Sequence, residues 1–213
     1  MNKNEQFVIA INRELGSGGR TVGRKLAERL GVPFYDKAPT KVMEQKYHLN
    51  VEELEKLKGR SQTWWAEFKR AVGVGDAQND AKYYVPREGD EPELLATEEI
   101  FKEETEIMKG LAEKGSCVVT GRSTFHVFHN HPNHLNILIQ ASIPFRVERV
   151  AREQDMTSDE ALHTIAKVDK MRENYINRYT GSSRYDAHNY HLVISADGKT
   201  EDEIVDLIMK YIG

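Results

Sequence analysis

The sequence predicts an α/β fold, a parallel β-sheet covered by helices on both faces, and three observations carry that expectation. Short β-rich apolar runs alternate with longer segments of helical periodicity, the pattern of successive βαβ units. The first run opens directly into a glycine-rich turn, Gly16-Ser17-Gly18-Gly19, followed by a helix. No internal repeat divides the 213 residues, a length that suits one α/β domain with a well-buried core or two small ones.

The elements follow in order. Phe7 to Ile11 is a compact β-rich run, read as a strand buried on both faces. From Thr21 to Leu30, Val22, Leu26 and Leu30 share one helical face, and Gly31 stops the helix. Val32-Pro33-Phe34-Tyr35 reads as a second short strand. Between about residues 41 and 95 the character changes to helical stretches (51–58 and 63–72) around a polar segment, 73–93. This reads as a partly helical insertion. Glu98 to Lys114 is an amphipathic helix ended by Gly115, and Ser116 to Thr120 is the next strand. Leu135 to Ile139 is another strand, Phe145 to Glu153 and Ser158 to Tyr179 are charged helices, and Leu192 to Ile194 is a last strand before a closing helix, Glu201 to Ile212.

Composition narrows the function. Charged residues make up 30% of the chain and hydrophobic ones 39%, with a net charge of -4 and a pI near 6.1. A polymer-binding surface for nucleic acid needs an excess of Lys and Arg, so a nucleic-acid partner is not expected, whereas a mononucleotide site needs only local cations. The single Cys117 offers no internal disulfide or cysteine metal cluster, which fits a reducing compartment. The apolar run Phe7–Ile11 is too short for a signal or a membrane span. The expectation is a soluble, cytoplasmic protein without a membrane partner.

The strand, glycine loop and helix of the first thirty residues form the strongest local signal. In such a loop backbone N–H groups converge on a phosphate and the helix adds the positive end of its dipole. The usual phosphate loop reads G-x-x-x-x-G-K-[ST]. Laid against it without gaps, Arg13 takes the first Gly, Gly18 keeps the second, Gly19 takes the Lys and Arg20 the Ser/Thr, with Thr21 one place late. Arg20 would then carry the missing charge through a bidentate fork, and Thr21 would bring a hydroxyl toward Mg²⁺. The same residues also suit a plain tight turn between strand and helix.

Read together, residues Asn12 to Gly31, with Gly-Ser-Gly-Gly-Arg at 16–20, resemble the opening of the cytidylate-kinase-like family, a branch of the P-loop nucleoside-monophosphate kinases that uses this loop without the lysine. The likeness continues at 33–37 (Pro-Phe-Tyr-Asp-Lys), 118–122 (Val-Val-Thr-Gly-Arg), 143–150, 169–175, 179–181 and 189–194, in order and over nearly the whole chain except about 42–95. The resemblance implies a P-loop three-layer sandwich in one domain. Its core would comprise residues 1–40, 96–148 and 188–213, with an acceptor-binding helical insert at about 41–95 and a lid at about 149–187.

The resemblance also implies roles. ATP and Mg²⁺ would be the cofactors, with the donor on Gly16, Ser17, Gly18, Gly19, Arg20, Thr21 and Val22, and Thr21 serving the metal. Asp36 and Lys37 end the second strand, where related kinases begin to contact the acceptor nucleotide, and Arg122 takes the place that holds the acceptor phosphate. Arg149 would lie against the donor base and Arg152 near its phosphates, while Arg172 and Arg178 would approach from the second lid helix. Arg20, Arg122, Arg152 and Arg172 would thus surround the transferring group, as phosphoryl transfer asks chiefly for positioning and neutralised charge. A lid keeps water from the donor. The implied activity is ATP- and Mg²⁺-dependent phosphoryl transfer to a nucleoside monophosphate such as CMP; a kinase of another small metabolite and a nucleotide-binding regulatory module without catalysis are the alternatives. Cytidylate kinases proper carry Asp on both sides of the Gly-Arg pair. Here those places hold Thr120 and Ser123, so cytosine recognition and one magnesium contact lack their usual residues.

Other features read more simply. His126, His129, His131 and His134 form a solvated loop rather than a metal site, since no Cys or ordered acid joins them. Trp64 and Trp65 sit at helical spacing from Phe68 and Val72, as helix core does. The acidic stretch 76–90 lacks the ordered spacing of a calcium loop. Asp169 suits an arginine partner or a ligand equally. Arg20 is the one cation within Gly16–Val22, so Arg20→Ala should weaken ATP binding at least tenfold, the scale of one charge-assisted hydrogen bond; calorimetric titration checks it, and an unchanged affinity would refute the loop assignment.

Overall fold

The computed structural model describes residues 1–36, 98–121 and 123–213. In chain order they form β1 (Val8–Arg13), α1 (Gly19–Leu30), β2 (Phe34–Tyr35), α2 (Glu98–Glu113), β3 (Cys117–Thr120), α3 (Thr124–Val127), β4 (His134–Gln140), α4 (Ile143–Gln154), α5 (Ser158–Thr180), β5 (Leu192–Ser195) and α6 (Glu201–Ile212). A single 3₁₀ turn, Ala187–Asn189, precedes β5. The helical readings at 51–58 and 63–72, Trp64, Trp65 and the acidic stretch 76–90 lie outside the described residues, as do Lys37 and Arg122.

The five strands form one parallel sheet in the order β2-β3-β1-β4-β5. Because β1 is central, it is apolar on both faces, and its side chains divide by the two-residue period of a strand. Ile9 and Ile11 join Val22 and Leu26 of α1, Ile137 and Ile139 of β4, and Ile204, Val205 and Ile208 of α6 in the larger core. Val8 and Ala10 face the other way, toward Met108 and Ala112 of α2, Val119 and Phe128. The result is the expected three-layer α/β sandwich. A third, smaller cluster packs Leu15 against Val150 of α4 and Ala161, Ile165 and Val168 of α5.

Local chemistry sets the helix ends. Thr157 and Thr200 each form a capping box, with Glu160 and Glu203 answering from the third helical position. Ser142 caps α4, and its hydroxyl and backbone N–H donate to Asp197 beyond β5. Those bonds, with one from Ser195, hold the Asp197 carboxyl down at about 2. The end of β4 is thereby tied to the end of β5.

Two expectations are adjusted. The first helix begins at Gly19 rather than Thr21, because Gly18 adopts a left-handed conformation (φ 78°) and itself serves as the N-cap. The stretch expected as a histidine loop contains the short helix α3, with His126 and His129 exposed and His131 and His134 half-buried. Among the described residues no group of three His, Cys, Asp or Glu side chains is placed to hold a metal. No described helix is long and apolar enough to cross a membrane.

Parallel register aligns the strand ends that matter. Tyr35 lies opposite Val119, Ile11 opposite Thr120, and Arg13 opposite Ile139. Asp36, Thr120 and Arg13 therefore end on the same sheet edge, the carboxyl end where ligands of open α/β sheets sit. α1 lies against that edge through Gly23, whose place leaves no room for a side chain: a Cβ there would meet Thr120 Cγ2 at 2.7 Å and Phe34 Cε2 at 2.9 Å. Gly23→Ala should accordingly destabilise the fold by about 1–3 kcal/mol through overpacking, read as a lowered urea midpoint at unchanged slope; a gain in stability, as expected for Gly→Ala in an uncrowded helix, would contradict this packing.

Candidate phosphate-binding site

The turn from β1 to α1 is built around two left-handed glycines. Gly16 (φ 81°) faces the α4 backbone so closely that a Cβ would lie 2.9 Å from the Arg146 carbonyl oxygen. Gly18 (φ 78°) ends the turn. A residue with a side chain would be strained at either place. Ser17 is buried and turned inward, its hydroxyl donating to the Glu14 carbonyl at 3.0 Å.

Beyond the turn, the start of α1 is open in the electrostatic sense. The first helical bond runs from the Val22 N–H to the Gly18 carbonyl (3.1 Å), so the N–H groups of Gly19, Arg20 and Thr21 precede the helical ladder. No side chain caps this end and no acidic residue sits in its first turn. α4, α5 and α6 all have side-chain caps. A helix start left this way, behind a glycine turn, is suited to an anion.

Asp36 organises the cations beside it. Its Oδ1 accepts from Arg13 Nη2 at 2.8 Å and from the Thr120 hydroxyl at 2.6 Å, and its Oδ2 accepts from Arg20 Nε at 2.6 Å. The carboxylate is nearly buried, while Arg13 and Arg20 keep 18% and 31% of their side-chain surface exposed. Arg13 and Arg20 each meet Asp36, and the contact orients the donor forks. A carboxylate serving three donors in this way anchors the cations beside it.

A second charged group lies behind the loop. Asp169 of α5 accepts the Leu15 backbone N–H at 3.3 Å through Oδ1, and its Oδ2 accepts from Arg146 Nη2. Arg146 also donates from Nε to the Leu15 carbonyl (2.7 Å) and lies 3.4 Å from Glu14. Glu14 in turn accepts the Ala141 N–H at 3.0 Å. Arg184 donates to the Arg13 carbonyl and lies 3.6 Å from Asp169. Arg146, Asp169 and Arg184 are all buried; two positive charges are matched by Asp169 and Glu14, as buried ions require.

The remaining expected residues divide. Arg149 lies over the loop, its Nη1 2.8 Å from where a Gly18 Cβ would be, and it donates to Glu153 (2.8 Å) and Glu201 (2.7 Å). Burial lowers its pKa, and the hydrogen bonds it donates to these two carboxylates, with their charge, more than offset that effect, so it lies above the usual arginine value. Thr21 and Arg172 are half-buried. Arg152 is exposed and, among the described residues, reaches only its helix neighbour Glu148, at 3.8 Å. Arg178 is exposed with its guanidinium 5.8 Å from the Tyr179 ring centre. No contact among the described residues joins Arg152 or Arg178 to the loop.

Sequence reasoning passed over Arg13, Arg146 and Arg184. Arg13 carried a signal, since it comes just after the apolar run Phe7–Ile11 and takes the place of the first loop glycine. Arg146 and Arg184 look like ordinary surface arginines in the sequence, and only burial distinguishes them. Asp169 settles on arginine partners. Ser123 is buried in a left-handed conformation (φ 57°), and its hydroxyl has no partner among the described residues. A strained residue of this kind at a strand end is the sort found at ligand sites.

A family model described as the cytidylate kinase-like family matches residues 8–197. No curated protein matches the chain. Among solved structures, an uncharacterized protein from Eubacterium ventriosum is similar at 25% identity and TM-score 0.66, covering 97% of this chain and 98% of that one. TT1252 from Thermus thermophilus matches at 21% identity and TM-score 0.54, over 98% and 96% of the two chains. Shikimate kinase from Bacteroides thetaiotaomicron matches at 15% identity and TM-score 0.53, over 98% and 99%. The last two are alike in fold. Asp36→Asn, which replaces the shared anion by an amide, should lower stability by about 1–3 kcal/mol in urea unfolding; a change within about 0.3 kcal/mol would mean that the two arginines do not depend on Asp36.

Proposed function

The chain belongs to the cytidylate kinase-like family, and from that premise we propose that it transfers the terminal phosphoryl group of ATP, with Mg²⁺, to a nucleoside monophosphate. The observation that carries the proposal is the uncapped start of α1 behind Gly16 and Gly18, with Arg13 and Arg20 held beside it by Asp36. The donor phosphates lie on the N–H groups of residues 19–21 that precede the helical ladder, and Arg20 replaces the lysine of the usual loop. Arg149, already lying over Gly18, covers the donor side.

This arrangement fits the chemistry. In-line phosphoryl transfer needs the acceptor oxygen positioned and the charge on the transferring group neutralised; it needs no covalent nucleophile. Magnesium usually keeps several waters and is held by one or two protein oxygens together with the phosphates, a role the Thr21 hydroxyl in the first turn of α1 suits. Bound there, the ion supplies charge neutralisation between the phosphates. The acceptor lies on the side of Asp36, Lys37 and Arg122. Residues of about 41–95 form the acceptor-binding part and those of about 149–187 the lid, with Arg152 and Arg172 reaching the transferring group and Arg178 the acceptor when it closes. The activity is cytosolic and needs no membrane or polymer partner.

Thr120 favours a second reading for the acceptor. Its hydroxyl is used by Asp36, so this position does not offer the carboxylate that cytidylate kinases proper have there, and another small hydroxyl-bearing metabolite becomes the acceptor. The test is ADP release from ATP and Mg²⁺ with CMP, dCMP, UMP, AMP and GMP offered in turn. The first reading expects one of the five to raise turnover at least a hundredfold over ATP hydrolysis alone. Silence with all five alongside ATP binding overturns it in favour of another metabolite or a non-catalytic nucleotide-binding module.

A further inference from the structure

Beyond its pairing with β4, where the Glu14 N–H donates to the Ile139 carbonyl, the backbone of residues 13–16 is held by α4, α5 and Arg184. Leu15 sends its side chain into a cluster with Val150 of α4 and Ala161, Ile165 and Val168 of α5. Its N–H donates to Asp169 of α5, and its carbonyl accepts from Arg146 of α4. The Arg13 carbonyl accepts from Arg184. Gly16 abuts the α4 backbone without room for a Cβ.

Arg184 is itself fastened to α5. Its N–H donates to Glu173, which also accepts from the Ser183 hydroxyl, and its carbonyl accepts from Tyr190 at 2.7 Å. Asp169 is therefore the point on which three pieces of chain meet: the loop through Leu15, α4 through Arg146, and the segment after α5 through Arg184. A single carboxylate holding three separate pieces of chain is a positioning device. Removing it leaves the buried Arg146 with Glu14 and, among the described residues, takes away the carboxylate nearest the buried Arg184.

We propose that Asp169 is a positioning residue for the donor phosphates, tying the phosphate loop to α4 and α5 so that the loop keeps its shape only while those helices are docked on it. The proposal rests on the reading of the loop as the donor site. It goes further in making α4 and the first half of α5, through Asp169, part of the loop's support. Any lid motion in 149–187 that carried Asp169 away would release Leu15 and with it the array of N–H groups that follows.

Two measurements test this, and the first needs neither ligand nor variant. In native-state hydrogen exchange of the full chain at rising sub-denaturing urea, the Leu15 amide should open together with the Ile165 and Val168 amides, with merging isotherms. A Leu15 amide exchanging at least a hundredfold faster than those of α5, and indifferent to urea, would overturn the proposal. The second is calorimetric titration of Mg·ATP into Asp169→Asn and Arg184→Met. Both should bind at least tenfold more weakly than the parent chain while retaining its far-ultraviolet spectrum; parent-like affinity in both overturns the proposal. Failure of the parent chain to bind Mg·ATP would refute the donor-site reading alone, and the exchange experiment would still decide whether loop and helices form one unit.

Discussion

Arg13 and Arg20 would repel one another at the carboxyl edge of the sheet were Asp36 not between them, each of its oxygens engaged by one guanidinium within 2.8 Å. Much of the candidate site follows from that contact. The carboxylate is nearly buried, so its attraction for the arginines is little screened. It also fixes two long side chains that would otherwise lose rotamer freedom on meeting a ligand. Cations set before the anion arrives cost less to use than cations that must be gathered, which is the physical content of preorganisation. The contact exists because parallel register ends β1, β2 and β3 at one level, and because Gly23 lets α1 lie close enough to bring Arg20 over the edge.

The loop itself needs separate support. A turn rich in glycine has more freedom in the unfolded chain than one built of residues with side chains, so the glycines that permit its shape do not hold it. Here the holding is done by buried charge. Glu14, Arg146, Asp169 and Arg184 connect the loop to α4, α5 and the end of β4. Such a group is seldom a net source of stability compared with apolar packing; what it supplies is direction, since each hydrogen bond is satisfied in one arrangement of the loop. The apolar contacts of Leu15 with Val150, Ile165 and Val168 provide the complementary, less directional part of the attachment.

The framework was legible because it depends on short-range signals. The run Phe7–Ile11 read as a buried strand, and Gly31 marked a helix end by local chemistry. The glycine turn announced the loop. What stayed hidden was the fate of individual charges. Arg146 and Arg152 occupy the same helix six residues apart, yet one is buried on Asp169 and the other exposed beside Glu148. Nothing in their composition or spacing separates them; the separation arises from which face α4 turns toward Leu15. Arg184 lies outside any periodic element, so pattern could not mark it at all. Thr21 as the start of α1 was two residues late because a glycine N-cap has no side chain to signal it.

The same charge logic bears on the acceptor side. A second carboxylate at position 120 would stand where the Thr120 hydroxyl now donates to Asp36 at 2.6 Å, and two acids at that distance cannot both stay ionised without further cations. Threonine there removes the repulsion and adds a donor, leaving Asp36 free to serve Arg13 and Arg20. An aspartate at 120 would draw the arginines into sharing between two anions, or would take up a proton. Thr120 and the Arg13–Asp36–Arg20 arrangement are thus consistent as a set, and changing one alters what the others do. Ser123, buried with φ 57° and without a hydroxyl partner among the described residues, stands three residues further along the same edge. An unmet hydroxyl costs free energy in a buried place unless something binds it. Among the described residues the Ser123 hydroxyl shares that condition with Arg184 Nε and Nη1 behind the loop, so neither the loop's support nor the Thr120 side is complete in its internal contacts.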